Sequence, residues 1–441
     1  RLEDQVRIRW FPRIRMTIMP PQSLQLPDEM KGRTRRAHAT LFLSDLMSDM
    51  VFRTSLNIRS LNEAMLVARE VHGKHHIILD DIHRHTLDYD TFLGIVWAWS
   101  GTVKAQKLSR AGLLIGNSIS SAVVFYGLQW ANTTPVLVDI NLDAKKIKKM
   151  LIGSGVTTVY TSLDVMKTLR REHLIEELAE TMKVIDVDRE IQKLIQDPPS
   201  KLSTRLKVFS ARIKLSEKSP NSPAAILYTR DEAGDFHERI YSHENLLVAR
   251  QQFVTRFDFN STDVMFCAWQ PYHINGLLMG LILPVLSGIK SYCYPVPERY
   301  RIASELIYDA GTTLLAAPES CFVGYEKYAH AYDMYHVRYA FLFDASSEEL
   351  LKKIYRRFGV RILQGHADII NGIIVSINTP IENKWGSLGK PLPGITLSPA
   401  VQGRNKDYLL SSDAVPVNIK QGPGITVKNI SIDDDGYLVP R

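Results

Sequence analysis

Three short apolar segments separated by two helical ones constrain this chain more than any other feature. Ala111-Gly-Leu-Leu-Ile115 reads as a strand buried on both faces, and 118–131 as an apolar helix opened by Asn117-Ser118. A second strand is expected at 134–139, a helix at 144–152 and a third strand at 157–161. The order is βαβαβ. Strands this apolar need cover on both faces, which implies a parallel sheet inside an α/β fold. A second series of strands and helices opens at 224–229. It continues through 264–269, 277–286, 290–294, 304–310, 313–316, 348–358 and 360–363. Helical spacing also runs from Leu41 to Arg69 with no strong stop before Gly73. The stretch 163–218 is helical and charged, broken at Pro198-Pro199. Beyond Pro391, short strands and Asp-Gly turns indicate a small β-rich subdomain.

Composition narrows the class further. Hydrophobic residues are 45% and charged residues 23% of 441, so the chain can build a packed core and is not disordered. No apolar run reaches the ~18–20 residues that span a bilayer. The best candidate, 277–289, is interrupted by Gly280, Pro284 and Gly288. Cys267, Cys293 and Cys321 are odd in number and spaced as neither a zinc knuckle nor a redox pair, so buried free thiols are expected. The net charge of +7 favours anionic partners. The first residue is Arg1, and the chain is expected to be cut from a longer protein. Its first fifteen residues alternate Arg with apolar side chains, including Trp10 and Phe11. Pro20-Pro21 and the basic cluster Lys31-Gly-Arg-Thr-Arg-Arg36 follow. This arm reads either as a terminal strand and linker or as a basic–aromatic segment resting on an anionic membrane surface.

Two loops stand where α/β proteins place their ligands. The strand ending at Thr229 runs into Arg230-Asp-Glu-Ala-Gly-Asp-Phe-His-Glu-Arg239, with a helix expected from Ser242. A phosphate-cradling loop needs glycines and a cation. Here Gly234 alone serves the first need, and Asp231, Glu232, Asp235 and Glu238 crowd the loop with carboxylates. At about 4 kcal/mol per close pair of partly screened charges, this loop repels a polyanion. The second loop follows Val360-Arg-Ile-Leu363 and reads Gln364-Gly-His-Ala-Asp-Ile-Ile-Asn-Gly372. Its Ile369 and Ile370 offer no oxygen to a hard cation. His366 and Asp368 read either as an acid–base pair or as a loop hydrogen bond. His72, His75, His76, His83 and His85 cluster with Asp80 and Asp81, but His75-His76 leads into a strand and His83 and His85 sit in a charged turn, so no metal site is expected. Tyrosines such as Tyr325 and Tyr328 come without a basic–aromatic module, so no nucleic-acid partner is expected. No GxSxG elbow supports Ser-His-Asp catalysis.

Four stretches together resemble the adenylate-forming superfamily of acyl- and aryl-CoA synthetases. They are Tyr300-Arg-Ile-Ala-Ser-Glu-Leu-Ile-Tyr-Asp309, Phe358-Gly-Val-Arg-Ile-Leu363, Val375-Ser-Ile-Asn378 and Gly386-Ser-Leu-Gly-Lys-Pro-Leu-Pro-Gly394. Within the superfamily the chain is most similar to the acyl-ACP synthetase branch that is fused to a 2-acylglycerophosphoethanolamine acyltransferase. The resemblance implies an α/β large N-terminal domain of two α/β subdomains plus a small β-rich one, with the C-terminal lid domain absent. Its expected divisions are an acyltransferase-like tail and linker at 1–40, a first subdomain at 41–222, a second at 223–393 and a truncated β-rich part at 394–441.

In that superfamily the loop after Thr229 reads roughly TSGSxGxPKG and wraps ATP phosphates. This chain keeps Thr229 and Gly234 but has His237 in place of the lysine. The YGxTE segment falls at His366 to Ile370, so Ile369 replaces the threonine and Ile370 the magnesium-holding glutamate. The adenine-receiving turn corresponds to Leu342-Phe343-Asp344, and the ribose-binding acid to Lys428. His273, Gly276 and Gly280 correspond to an acyl or adenylate groove. The resemblance therefore implies a catalytically degenerate acyl-adenylate-forming domain with no catalytic residue, no metal and no cofactor. Its role would be structural, regulatory or acyl-binding and linked to phospholipid acylation. The implied partners are acyl carrier protein, an acyltransferase domain or an anionic lipid surface, in the cytoplasm or at the inner face of a membrane. Two alternatives stay open: an active ATP- and Mg-dependent acyl-ACP or acyl-CoA ligase with unusual motifs, and a membrane-surface interaction module.

Overall fold

The computed structural model describes residues 16–24, 31–55, 59–215, 219–400, 407–419 and 424–440. The alternating arginine segment at 1–15 lies outside the described residues. Two sheets carry the fold. A six-stranded sheet runs, edge to edge, Lys183–Asp186, Thr158–Thr161, Arg110–Leu114, Thr134–Leu137, Pro223–Arg230 and Phe236–Ser242. All its neighbours are parallel except the last pair. The βαβαβ unit is its centre. Ser118 caps the helix Ile119–Trp130 by accepting from Ser121 N–H, and the hydroxyl of Ser162 does the same for Val165 at Leu163–Thr168.

The nine-stranded sheet runs Lys390–Pro391, Ile373–Ile377, Ile362–Asp368, Tyr339–Leu342, Leu314–Ala316, Val264–Cys267, Lys290–Cys293, Ile77–Asp81 and Leu87–Asp88. Its six inner strands from Ile362–Asp368 to Ile77–Asp81 are parallel, and antiparallel strands close both edges. The sheets do not divide at the expected 222/223 boundary. Ile77–Asp81 pairs with Lys290–Cys293 in the second sheet, while Pro223–Arg230 joins the first beside Thr134–Leu137. One core spans both sheets. Within it the Tyr126 hydroxyl donates to the Leu281 carbonyl at 3.2 Å and Tyr89 to that of Val285 at 2.6 Å. These bonds tie the helices Ile119–Trp130 and Tyr89–Lys104 to the helical run 274–287. Three further helices are Tyr300–Asp309 and Glu348–Phe358, both expected from the sequence, and Glu319–Tyr328, which the sequence does not signal. Together they cover a second core on the other face of the nine-stranded sheet.

Several local expectations shift. The run 41–69 is two helices, Gly32–Ser55 and Leu61–His72, because Ser60 breaks the spacing and caps the second by accepting from Glu63 N–H. The basic cluster after Lys31 thus begins the first helix. The charged stretch 163–218 hides the edge strand Lys183–Asp186, whose half-exposed residues give no apolar alternation. The three cysteines are free and buried, and burial pushes the thiols of Cys267 and Cys321 up to about 12. The three-stranded sheet Thr396–Pro399, Tyr408–Ser411, Ile425–Val427 and the hairpin Ile430–Ile432, Leu438–Pro440 form the β-rich part. Among the described residues no helix is long and apolar enough to cross a membrane.

Candidate functional site

An open cleft of about 730 Å³ lies between the two loops singled out in the sequence. One wall is Asp231, Glu232 and Ala233. The other is His366 to Asn371, and Thr426 and Lys428 of the β-rich part close the end.

The first wall is a hairpin turn, which corrects the expected passage from turn to helix. Thr229 pairs with His237 and Arg230 with Phe236, and the helix His243–Val254 begins only after the second strand. The N-terminus of that helix therefore does not follow the turn directly. Gly234 supplies the positive φ of +92° that a five-residue connection requires. The carboxylate of Asp231 fills the turn's interior. It accepts the Asp235 N–H at 2.9 Å, the Ala233 N–H and the His237 Nε2–H at 2.7 Å. These donors, His237 first, hold the Asp231 carboxyl below its ordinary value. Asp231 N–H and Gly234 N–H are bonded to the carbonyls of Asp235 and Asp231. Arg230 folds over the turn, donating to the Gly234 carbonyl at 3.2 Å and lying over the Phe236 ring. Outside, Lys428 pairs with Glu232 at 3.1 Å.

The opposing wall is tied down as closely. Asp368 is buried and accepts the N–H groups of Ile370 and Asn371 at 3.1 and 3.0 Å and the Asn371 side-chain amide at 2.7 Å. The Ile370 carbonyl accepts from Thr229 Oγ1 at 2.8 Å and from Arg239 Nη2 and Nε at 2.8 and 3.1 Å. Tyr241 donates to the Gly372 carbonyl. Ile369 projects outward, 64% exposed. His366 is half-buried, and that burial lowers its pKa against the opposing pull of Asp368.

The structure thus gathers Thr229, Gly234, His237, His366, Ile369 and Ile370 about one junction. Asp344, His273, Gly276 and Gly280 do not line this cleft. Asp344 follows the strand Tyr339–Leu342, where burial and the nearby Glu319 raise its carboxyl to about 6. Its neighbour Phe343 is fully buried, edge-on to Phe253 with ring centres 5.8 Å apart. His273 is exposed, beside the rings of Trp269 and Tyr272. Gly276 is closed by backbone, since a Cβ there would lie 1.9 Å from the Gln270 carbonyl oxygen, and Gly280 faces Cys267 and Asn117 in ordinary contact. The histidines at 72–85 have separate partners: His75 Nδ1 meets Asp88, His76 Nε2 meets the Gly288 carbonyl and His85 Nδ1 meets Asp81. Among the described residues no group of three or more His, Cys, Asp or Glu could hold a metal ion. Sequence reasoning missed the roles of Asp231, Arg239 and Asn371. The first had a signal, because Asp-x-x-Gly-Asp is a turn in which the first carboxylate bonds later amides.

Two parallel-stranded sheets sharing a core, followed by a β-rich part, define the α/β class of the adenylate-forming enzymes' large N-terminal domain. The fold matches an anthranilate CoA ligase, AuaEII, solved with anthranoyl-AMP, at TM-score 0.70 and 15% identity, covering 89% of this chain and 76% of that one. It matches a benzoate CoA ligase from Burkholderia xenovorans LB400 at TM-score 0.70 and 15% identity, covering 86% and 79%. It matches the o-succinylbenzoate CoA synthetase of Bacillus subtilis at 0.69 and 14%, covering 86% and 77%. Residues 102–398, more than half of the chain, match the AMP-binding enzyme family, and the chain belongs to that family.

Proposed function

We propose that this chain is a catalytically degenerate member of its family, with a structural, regulatory or acyl-binding role connected to phospholipid acylation. The observation that carries the reading is the Asp231 carboxylate, which takes up turn amides and His237 where a phosphate would need them. ATP and magnesium do not fit the residues present. A second anion beside Asp231 meets repulsion, and Ile369 and Ile370 bring no side-chain oxygen for a hard cation. The oxygens of Asp368 are already bonded within their own turn. Removing one electrostatic stabiliser typically costs about 3–4 kcal/mol of transition-state stabilisation, and here several are missing together.

The acyltransferase-linked branch supplies the proposed partners: acyl carrier protein, an acyltransferase domain or an anionic lipid surface. The setting is cytoplasmic or peripheral to the inner face of a membrane. The divisions 1–40, 41–222, 223–393 and 394–441 belong to the same reading as evolutionary units, although each sheet takes strands from both middle divisions. A second reading rests on family membership: an active ATP- and Mg-dependent acyl-ACP or acyl-CoA ligase. Calorimetric titration with MgATP, paired with ATP–pyrophosphate exchange, separates the two. Absence of heat and of exchange supports degeneracy. Saturable binding with exchange establishes the ligase.

A further inference from the structure

The helix Lys201–Leu215 has an apolar side that the fold does not use. Its sequence, KLSTRLKVFSARIKL, contains five cations and no acid. At about 100° per residue, Thr204, Val208 and Ala211 share one side, and Leu202, Leu206 and Phe209 share the opposite side within about 60°. Thr204 and Val208 are buried, and Ala211 packs against the main core. Leu202, Leu206 and Phe209 are 67%, 68% and 75% exposed. A surface helix needs one apolar side to dock, and this one has two.

The outward stripe is held in place. Lys201 reaches Asp88 at 2.9 Å, and Arg205 reaches the fully buried Asp90 at 3.3 Å, which Arg69 also engages. Thr204 sits so close to Gly94 that a Cβ on that glycine would lie 2.8 Å from its hydroxyl. The helix cannot roll its stripe inward without breaking these contacts. Lys207 pairs with no acid among the described residues and flanks the stripe on the side away from Lys201 and Arg205. The exposed side is thus a narrow apolar ridge with the unpaired Lys207 on one flank and the acid-paired Lys201 and Arg205 on the other, the pattern of a helix lying in a lipid interface. The helix Gly32–Ser55 also exposes Leu43 and Met47, but Asp45 and Asp49 interrupt its charge.

We propose that the helix Lys201–Leu215 docks the protein on an anionic bilayer surface. Leu202, Leu206 and Phe209 enter the headgroup–acyl boundary, and Lys207 faces the lipid headgroups. The absence of any acid on the helix favours this over a protein groove, and the inference is independent of the nucleotide cleft. The test is co-sedimentation of the full chain with vesicles of phosphatidylglycerol and phosphatidylcholine, against vesicles of phosphatidylcholine alone. Binding is expected to the anionic vesicles and to weaken with added salt. The Leu206→Ser/Phe209→Ser double variant is expected to bind at least about tenfold more weakly with an unchanged melting curve, since both side chains are exposed. A Phe209→Trp variant is expected to blue-shift its emission on vesicle addition. The proposal fails if vesicles do not bind, or if the double variant binds as well as the parent. It also fails if size-exclusion shows a dimer that the double variant dissociates, because the stripe would then join two copies of this chain.

Discussion

The hydroxyl of Thr229 donates a 2.8 Å hydrogen bond to the carbonyl of Ile370, 141 positions away in sequence. The same oxygen receives two bonds from the Arg239 guanidinium, so one peptide group joins the hairpin of the six-stranded sheet to the turn between Ile362–Asp368 and Ile373–Ile377 of the nine-stranded sheet. Arg239 is nearly buried, so its replacement leaves that carbonyl short of donors in a place water reaches poorly. Arg239→Met is expected to lower the unfolding free energy by about 2 kcal/mol in urea titrations. Thr229→Val, which spares the two guanidinium bonds, is expected to cost about 1 kcal/mol. Equal losses for the two variants would show that the carbonyl is not the shared anchor.

Asp231 makes a different prediction, because its carboxylate both organises the turn and excludes other anions. Asp231→Ala removes the partner of His237 and opens the Asp235 and Ala233 amides. The variant is expected to bind inorganic pyrophosphate at least about tenfold more tightly than the parent. Isothermal titration of both proteins under the same buffer measures the ratio. An unchanged ratio would mean that the acid does not occupy an anion site.

What the sequence made legible was local. Ser118, standing before an apolar helix, marks a cap that the structure places there, and the apolar runs at 111–115 and 157–161 are strands because burial on both faces is written into their composition. The replacements Ile369 and Ile370 were visible as side chains that cannot bind metal. The hairpin was not visible, since Phe236 to Ser242 becomes a strand only by pairing with Pro223–Arg230, and its charges mask the alternation. Nor could any local pattern place Phe343 in the core beside Phe253, or close Gly276 against Gln270. Those contacts depend on how the two sheets meet.

The expected groove at Gly276 and Gly280 can be examined through its own glycines. A methyl group at Gly276 would collide with backbone at 1.9 Å, which no rotamer change relieves, whereas one at Gly280 would meet Cys267 at 3.5 Å. Gly276→Ala is expected to destabilise by about 3 kcal/mol or more, or to prevent folding. Gly280→Ala is expected to lie between neutral and about 1 kcal/mol stabilising, because alanine is the better helix former. Thermal melts of the two variants decide it. If Gly276→Ala melts like the parent, the helix stands further from the Gln270 loop than described, and space for a ligand exists there.

Acidification offers a further measurement through His72, which burial, aided by His76 and Arg250, lowers to about 4. The unfolded chain takes up a proton near 6.5 that the folded chain refuses. The stabilisation is therefore fully present above pH 6.5 and is lost as pH falls from there to about 4. Asp344 acts in the opposite sense. Its folded carboxyl, raised to about 6, binds a proton before the unfolded one does, so its contribution grows as pH falls through 6. His366, lowered by burial, acts in the same direction as His72. The net slope mixes these groups, so the diagnostic quantity is the difference between parent and variant. Urea midpoints measured from pH 7.5 to 4.5 are expected to fall less steeply in His72→Gln than in the parent, and more steeply in Asp344→Asn. Parallel curves for His72→Gln would place the acid sensitivity in other groups, because glutamine cannot take the proton that drives it.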